Sequence, residues 1–227
     1  MNTFFPGADS RIVFPLVLLG WIFSLCLHEF AHAFVAFHGG DTSVRDKGYL
    51  SFNPLRYIDL QMSILYPLVF LLIGGLGLPG GAVLINRSRL KSPAWVSMMC
   101  LAGPASNALL ALVIALLMRL SPALGSGSLG AALGFLLLLQ LSAVVLNLLP
   151  VPGLDGFGAI SPYLPRETQM LALQYGQAAM FALFAAFWFV PGLGRAFWGV
   201  IFLGAQALGV SPGLAIAGQR AFQFWLR

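Results

Sequence analysis

The chain has very little charge. Only 8% of its 227 residues are Asp, Glu, Lys or Arg, so the charged shell of a water-soluble domain cannot be built from it. Cysteine is nearly absent too. Cys26 and Cys100 both fall in apolar stretches, which excludes a disulfide framework and leaves the redox compartment undetermined. No polar stretch is longer than Gly39–Asp59, and no internal repeat or low-complexity tract is present, so a single compact unit is expected. The net charge of +5 comes from basic residues standing singly or in threes, a pattern of membrane anchoring that makes nucleic acid a poor partner.

What is abundant is apolar surface: 59% hydrophobic residues and a mean hydropathy of +0.89. Six runs, Ile12–Phe37, Leu60–Leu78, Ala94–Met118, Leu129–Leu149, Met170–Val190 and Ala196–Ala217, approach the roughly 20 residues needed to cross a bilayer. Leu60–Leu78 is the shortest, holds Pro67 and ends in Gly-Gly-Leu-Gly. The reading is an all-α polytopic membrane protein with five transmembrane helices, one re-entrant or half-membrane segment and a short membrane-associated β-hairpin. Arg11, the apolar run and Ala31-His32-Ala33 imitate a cleavable leader, but the run is too long and Glu29 precedes the supposed cut, so cleavage is not expected.

Inside the first run stands His28-Glu29-Phe30-Ala31-His32. Four helical residues advance the chain by about 400°, leaving both imidazoles on one face about 6 Å apart along the axis. That spacing lets both bind one zinc ion at about 2.0–2.1 Å, while Glu29 stands beside the metal as a base for water. Ionisable groups at bilayer depth are expensive and usually functional, which sharpens the pattern. Two histidines on one helix face do not suit a haem, which needs ligands on opposite sides of the iron. His38, at the polar end of the run, reads as interfacial.

Catalytic zinc usually takes three protein ligands. Asp9, Asp41, Asp46, Asp59 and Glu167 belong to polar loops, which leaves Asp155, in Asn147-Leu-Leu-Pro-Val-Pro-Gly-Leu-Asp-Gly156. There Pro150, Pro152 and Gly153 break the fourth long span, and a broken helix at membrane depth is tolerated where it lines a wet cavity.

These two stretches resemble the paired signatures of the site-2 proteases, zinc metalloproteases that cut substrates within the membrane. Ala102-Gly103-Pro104 followed by Asn107 is similar to a third element of that family, and Gly48–Asp59 resembles a stretch of a short prokaryotic branch without PDZ or CBS domains. The resemblance covers about residues 20–160. It implies one Zn2+ held by His28, His32 and Asp155, Glu29 as general base, Asn147 as a transition-state donor and Asn107 on the substrate side. It further implies a single metalloprotease domain, 1–227, with a catalytic core at about 12–160 and accessory helices at 167–227. Tyr49 and Tyr57 depart from the branch's pattern, as does Leu78–Pro93, so specificity does not transfer.

The expected reaction is hydrolysis of peptide bonds in or near transmembrane segments of membrane-protein substrates, with the bilayer and a substrate helix as partners. Gly80–Asn86 reads as a short strand whose edge, with Gly80, Gly81, Val83 and Leu84, takes the unwound substrate. A non-catalytic protein that binds transmembrane helices or handles metal ions is the alternative. Against it stand the lack of internal symmetry and the glutamate between the histidines.

Topology gives a separate constraint. His28 and His32 precede Gly39 by eleven and seven residues, about 16 and 10 Å along the helix. Asp155 reaches that depth only if the fourth long run ends on the same face as the first, which requires Leu60–Leu78 to be re-entrant. That arrangement puts Arg45, Lys47, Arg56, Arg87, Arg89, Lys91, Arg166, Arg220 and Arg227 on one face, against Arg11, Arg119 and Arg195. The richer face is cytoplasmic by the positive-inside rule. The expectation is a prokaryotic plasma-membrane protein with its amino terminus outside, its carboxyl terminus inside and its site towards the cytoplasm.

Overall fold

The computed structural model describes residues 8–52 and 84–226. Helix α1, Ser10–Gly39, starts where the Asp9 side chain accepts the Arg11 amide at 2.9 Å. It stops at Gly40, whose φ of 119° is left-handed, with the Asp41 amide returning to the Ala36 carbonyl at 3.0 Å. A one-turn helix α2, Ser43–Asp46, follows. After a 3-10 turn at Arg87–Arg89, Pro93 opens α3, Pro93–Leu120, at a first-turn position where its missing N–H costs nothing. Then come α4, Gly127–Asn147; a six-residue α5, Asp155–Ile160; and α6, Arg166–Phe189. The chain closes with α7, Leu193–Ala207, and α8, Pro212–Phe222.

Helices α1, α3 and α4 form the central bundle, with α8 laid across α4 and α1. Their directions follow from two bonds. The Lys91 amide donates to Gly39 O at 2.9 Å, so α3 begins where α1 ends. The Asp9 amide donates to Ser128 Oγ at 2.9 Å, so α4 begins where α1 begins. Helices α1 and α4 therefore run parallel and finish on one face, as Asp155 requires. Close approach of α8 to α4 depends on Gly218, where an added Cβ would run into the Ala131 carbonyl. The core is made by Val13, Val17 and Trp21 of α1, Ile114 and Met118 of α3, and Phe135 to Leu139 of α4, with Phe222 of α8 sealing it.

Four described helices, α1, α3, α4 and α6, are long and apolar enough to cross a membrane. The fifth expected span, Ala196–Ala217, is broken. Gly209 at φ 80° and Pro212 at the start of α8 end one helix and begin another at a 119° bend. In consequence the chain turns back. Phe222 stacks on Phe14 of α1 at 5.2 Å, with Phe224 and Trp225 within about 6 Å of the same ring. The carboxyl-terminal segment thus packs at the end of the bundle where α1 starts.

The expected re-entrant segment, Leu60–Leu78, lies outside the described residues, as do Gly80, Gly81 and Val83. No strand occurs among the described residues. Leu84–Asn86 has no regular secondary structure, and side chains take two of its backbone groups: Lys47 Nζ donates to Leu84 O at 2.6 Å, and the Asn86 amide donates to Asp41 Oδ2 at 2.7 Å. The described part of the expected hairpin is a strap tied down by Asp41 and Lys47.

Candidate metal centre

Three elements converge beneath the Gly39 face. Helix α1 supplies His28, Glu29 and His32, all buried on its bundle side. Asp155 is the first residue of α5. It arrives there because Pro150 and Pro152 end α4 and Gly153, at φ 101°, reverses the chain. Gly156 then packs on the backbone of Leu148, where a side chain would collide with the carbonyl, and so fixes the start of α5 against the end of α4. Ser97 Oγ of α3 donates to Ala159 O at 2.6 Å and anchors the far end of the same short helix.

The ligand atoms are closely grouped. His28 Nε2 lies 3.2 Å from Asp155 Oδ2, His32 Nε2 lies 3.4 Å from Asp155 Oδ1, and the two Nε2 atoms are 3.0 Å apart. A tetrahedral zinc site with ligands at about 2.0–2.1 Å separates its ligand atoms by about 3.3 Å. The match is close.

Proton positions strengthen the fit. His28 Nδ1 meets Asn107 Oδ1, and His32 Nδ1 lies 2.7 Å from the Met99 carbonyl oxygen. An oxygen acceptor at each Nδ1 holds the proton there, so both Nε2 atoms turn lone pairs towards each other and towards a carboxylate. Asp155 Oδ2 is buried and accepts no hydrogen bond among the described residues. Three electron-rich groups so arranged repel one another unless a cation lies between them, and imidazole with carboxylate suits zinc. Gly103 of α3 faces this space. A Cβ there would lie 2.5 Å from His28 Nε2 and closer still to His32 Nε2. Asp155 is the most open member, its side chain 20% exposed against 9% and 8% for the histidines, so the site is least enclosed on the carboxylate side.

The expected roles divide as follows. His28, His32 and Asp155 come together and Glu29 is buried beside them on α1. Asn147 is the buried last residue of α4, its Nδ2 donating to Ala143 O at 3.0 Å, which leaves a second amide proton. Asn107, expected on the substrate side, stands behind His28. It is buried, with Oδ1 on His28 and Nδ2 donating to Gln140 Oε1 at 2.7 Å, so both ends of its amide are engaged inside the bundle. Leu84 is 67% exposed on the strap. Sequence reasoning missed Gln140, Gly103 as a packing constraint, and Asp41. A lone amide within the apolar run of α4 is the signal that pointed to the first.

A two-histidine, one-carboxylate site with a glutamate alongside, enclosed by membrane-length helices, defines a membrane zinc metalloprotease. Known proteins agree. The chain is 40% identical over 213 residues to Rip2 of Mycolicibacterium smegmatis, which is named as a zinc metalloprotease, spanning 94% of this chain and 82% of that protein. Rip2 of Mycobacterium tuberculosis H37Rv, named likewise, is 42% identical over 213 residues with the same coverage. YwhC of Bacillus subtilis, also named as a zinc metalloprotease, is 33% identical over 192 residues, 78% of this chain and 85% of its own length. No family model and no solved structure matches the chain. The chain belongs to the site-2 protease family of zinc metalloproteases.

Proposed function

We propose that the protein hydrolyses peptide bonds in or near the transmembrane segments of membrane-protein substrates, within the bilayer. The observation that carries this reading is the depth of the site. The ligands stand about 10–16 Å along α1 from its Gly39 end, at 1.5 Å per residue, inside a bundle of apolar helices. A soluble peptide has no easy route there, whereas a partly unwound helix can approach from the lipid.

The residues divide the work. His28, His32 and Asp155 would hold the zinc ion. When bound, zinc supplies Lewis acidity that polarises a carbonyl oxygen and makes water a nucleophile near neutral pH. Glu29 takes the proton from the attacking water and returns it to the leaving amine, a shuttle contributing about 10²–10⁴-fold. Asn147 directs its second amide proton towards the oxygen on which charge develops. The exposed Leu84 side chain on the strap offers an apolar contact to the substrate beside the site.

Orientation follows from charge. Arg45, Lys47, Arg87, Arg89 and Lys91 gather where α1 ends and α3 begins, which favours that face as cytoplasmic. Cleavage of single-span substrates in proteoliposomes, with products mapped by mass spectrometry, tests the reading. Wild type should cut within the apolar segment and Glu29→Gln should bind zinc but lose at least a hundredfold in rate. Equal cleavage by both proteins, or cuts confined to soluble tails, would overturn it.

A further inference from the structure

The buried polar chain behind the metal site crosses three helices: His28 on α1, Asn107 on α3 and Gln140 on α4. Gln140 is 1% exposed among Phe135 and Leu136 to Leu139, positions that otherwise build the hydrophobic core. An amide there carries a desolvation penalty that a leucine would avoid. Something must offset it.

An asparagine side chain can turn over about its last bond, exchanging an acceptor for a donor with almost no change in shape. With Oδ1 towards His28, the imidazole keeps its proton on Nδ1 and offers the Nε2 lone pair to a metal. Turned over, the NH2 group faces Nδ1, the proton moves to Nε2, and it points at His32 Nε2 and Asp155 Oδ2, where the cation belongs. Among the described residues the partner of His28 Nδ1 is a side chain, in contrast to His32, whose Nδ1 is held by Met99 O. Gln140 biases that side chain: its Oε1 accepts from Asn107 Nδ2, so turning the Asn107 amide over requires Gln140, 1% exposed within the core, to turn over with it or to confront Asn107 Oδ1.

We propose that Gln140 is a positioning residue for the metal centre: through Asn107 it locks His28 in the tautomer that binds zinc. The proposal rests on the zinc reading of the site. It assigns a role to a residue that touches neither metal nor substrate and that stands outside every motif of the sequence.

The test measures zinc affinity of the purified full-length protein in detergent by competition with a chromophoric chelator, alongside thermal melting of the metal-free forms. Gln140→Leu should weaken zinc binding by about 10–100-fold, the usual cost of losing an outer-shell partner. In an Asn107→Asp background both terminal oxygens accept, turning over no longer matters, and adding Gln140→Leu should change the affinity less than threefold. Gln140→Glu keeps an acceptor and should stay within threefold of wild type, which preserves the test if the aspartate variant fails to fold. Wild-type affinity in Gln140→Leu, or an equal loss in both backgrounds, would overturn the proposal, since core packing alone predicts the latter. Failure of the wild type itself to bind zinc would instead remove the reading on which it rests.

Discussion

Gly103→Ala is the smallest change that should empty the metal centre. The new methyl would stand 2.5 Å from His28 Nε2 and 2.6 Å from His28 Cε1, with His32 Nε2 nearer still. Ordinary contacts between such atoms fall at about 3.5–4.0 Å, so the imidazoles must retreat by about 1 Å. A metal site tolerates errors of about 0.2 Å in its ligand distances, five times less. Retreat is also obstructed, because His28 is held from behind by Asn107 and His32 by Met99 O. Overpacking of this kind costs about 1–3 kcal/mol, while alanine in a helix interior recovers about 1 kcal/mol relative to glycine. The metal-free protein is left about 0–2 kcal/mol less stable, a modest loss beside the displacement of the ligands. Thermal melting of the metal-free variant should therefore fall by no more than several degrees and remain cooperative, while its zinc content, measured by elemental analysis after purification, falls from one per chain to below one tenth. A variant that keeps stoichiometric zinc and full turnover would refute the claim that Gly103 leaves room for the ion.

Two further outcomes concern the face where α1 ends. Asp41 is fully buried beyond the end of α1 and accepts from Ser43 Oγ at 2.6 Å, the Ser43 amide at 3.2 Å and the Asn86 amide at 2.7 Å. Burial alone pushes its carboxyl up, but these bonds and Arg89 outweigh it and hold it below its ordinary value of 3.8. A depressed folded value means the stabilisation is complete above the ordinary value and is lost as pH falls through the folded one. Hydrogen exchange at Asn86 should be protected at pH 5 to 7, and Asp41→Ala should lose about 1.5–3 kcal/mol of that protection, the range for hydrogen bonds to a charged group. Unchanged exchange in the variant would show that the strap is held by other means. Ser88 is exposed on the same strap, so Ser88→Cys should resist a membrane-impermeant thiol reagent applied to intact cells and react after lysis. Labelling from outside would reverse the orientation.

The site was more legible in the sequence than the fold around it. His28, Glu29 and His32 declare themselves because helical spacing and bilayer depth act on the same few residues. Asp155 follows from scarcity: with five of the other acids in polar loops, few carboxylates can reach a buried metal. The parallel course of α1 and α4 followed from that geometric demand. Composition could not show that Ala196–Ala217 folds as two helices, because apolar content measures affinity for lipid and not direction. Gly209 and Pro212 carry that information. The expected hairpin is a different case. A short apolar stretch between turns suggested a strand, but in its described part Lys47 and Asp41, distant in sequence, take the Leu84 carbonyl and the Asn86 amide that a partner strand would need. Asn107 was visible and its role was not, since a buried amide shows its purpose only when both neighbours are known.

X-ray absorption at the zinc edge of the purified protein examines the metal centre itself. Two imidazole nitrogens, one carboxylate oxygen and one further light atom at about 2.0–2.1 Å are expected, with the signal lost in the His28→Ala, His32→Ala double variant. A sulfur neighbour at about 2.3 Å, implicating Cys26 or Cys100, or zinc retained in the double variant, would contradict a site built by α1 and the first residue of α5.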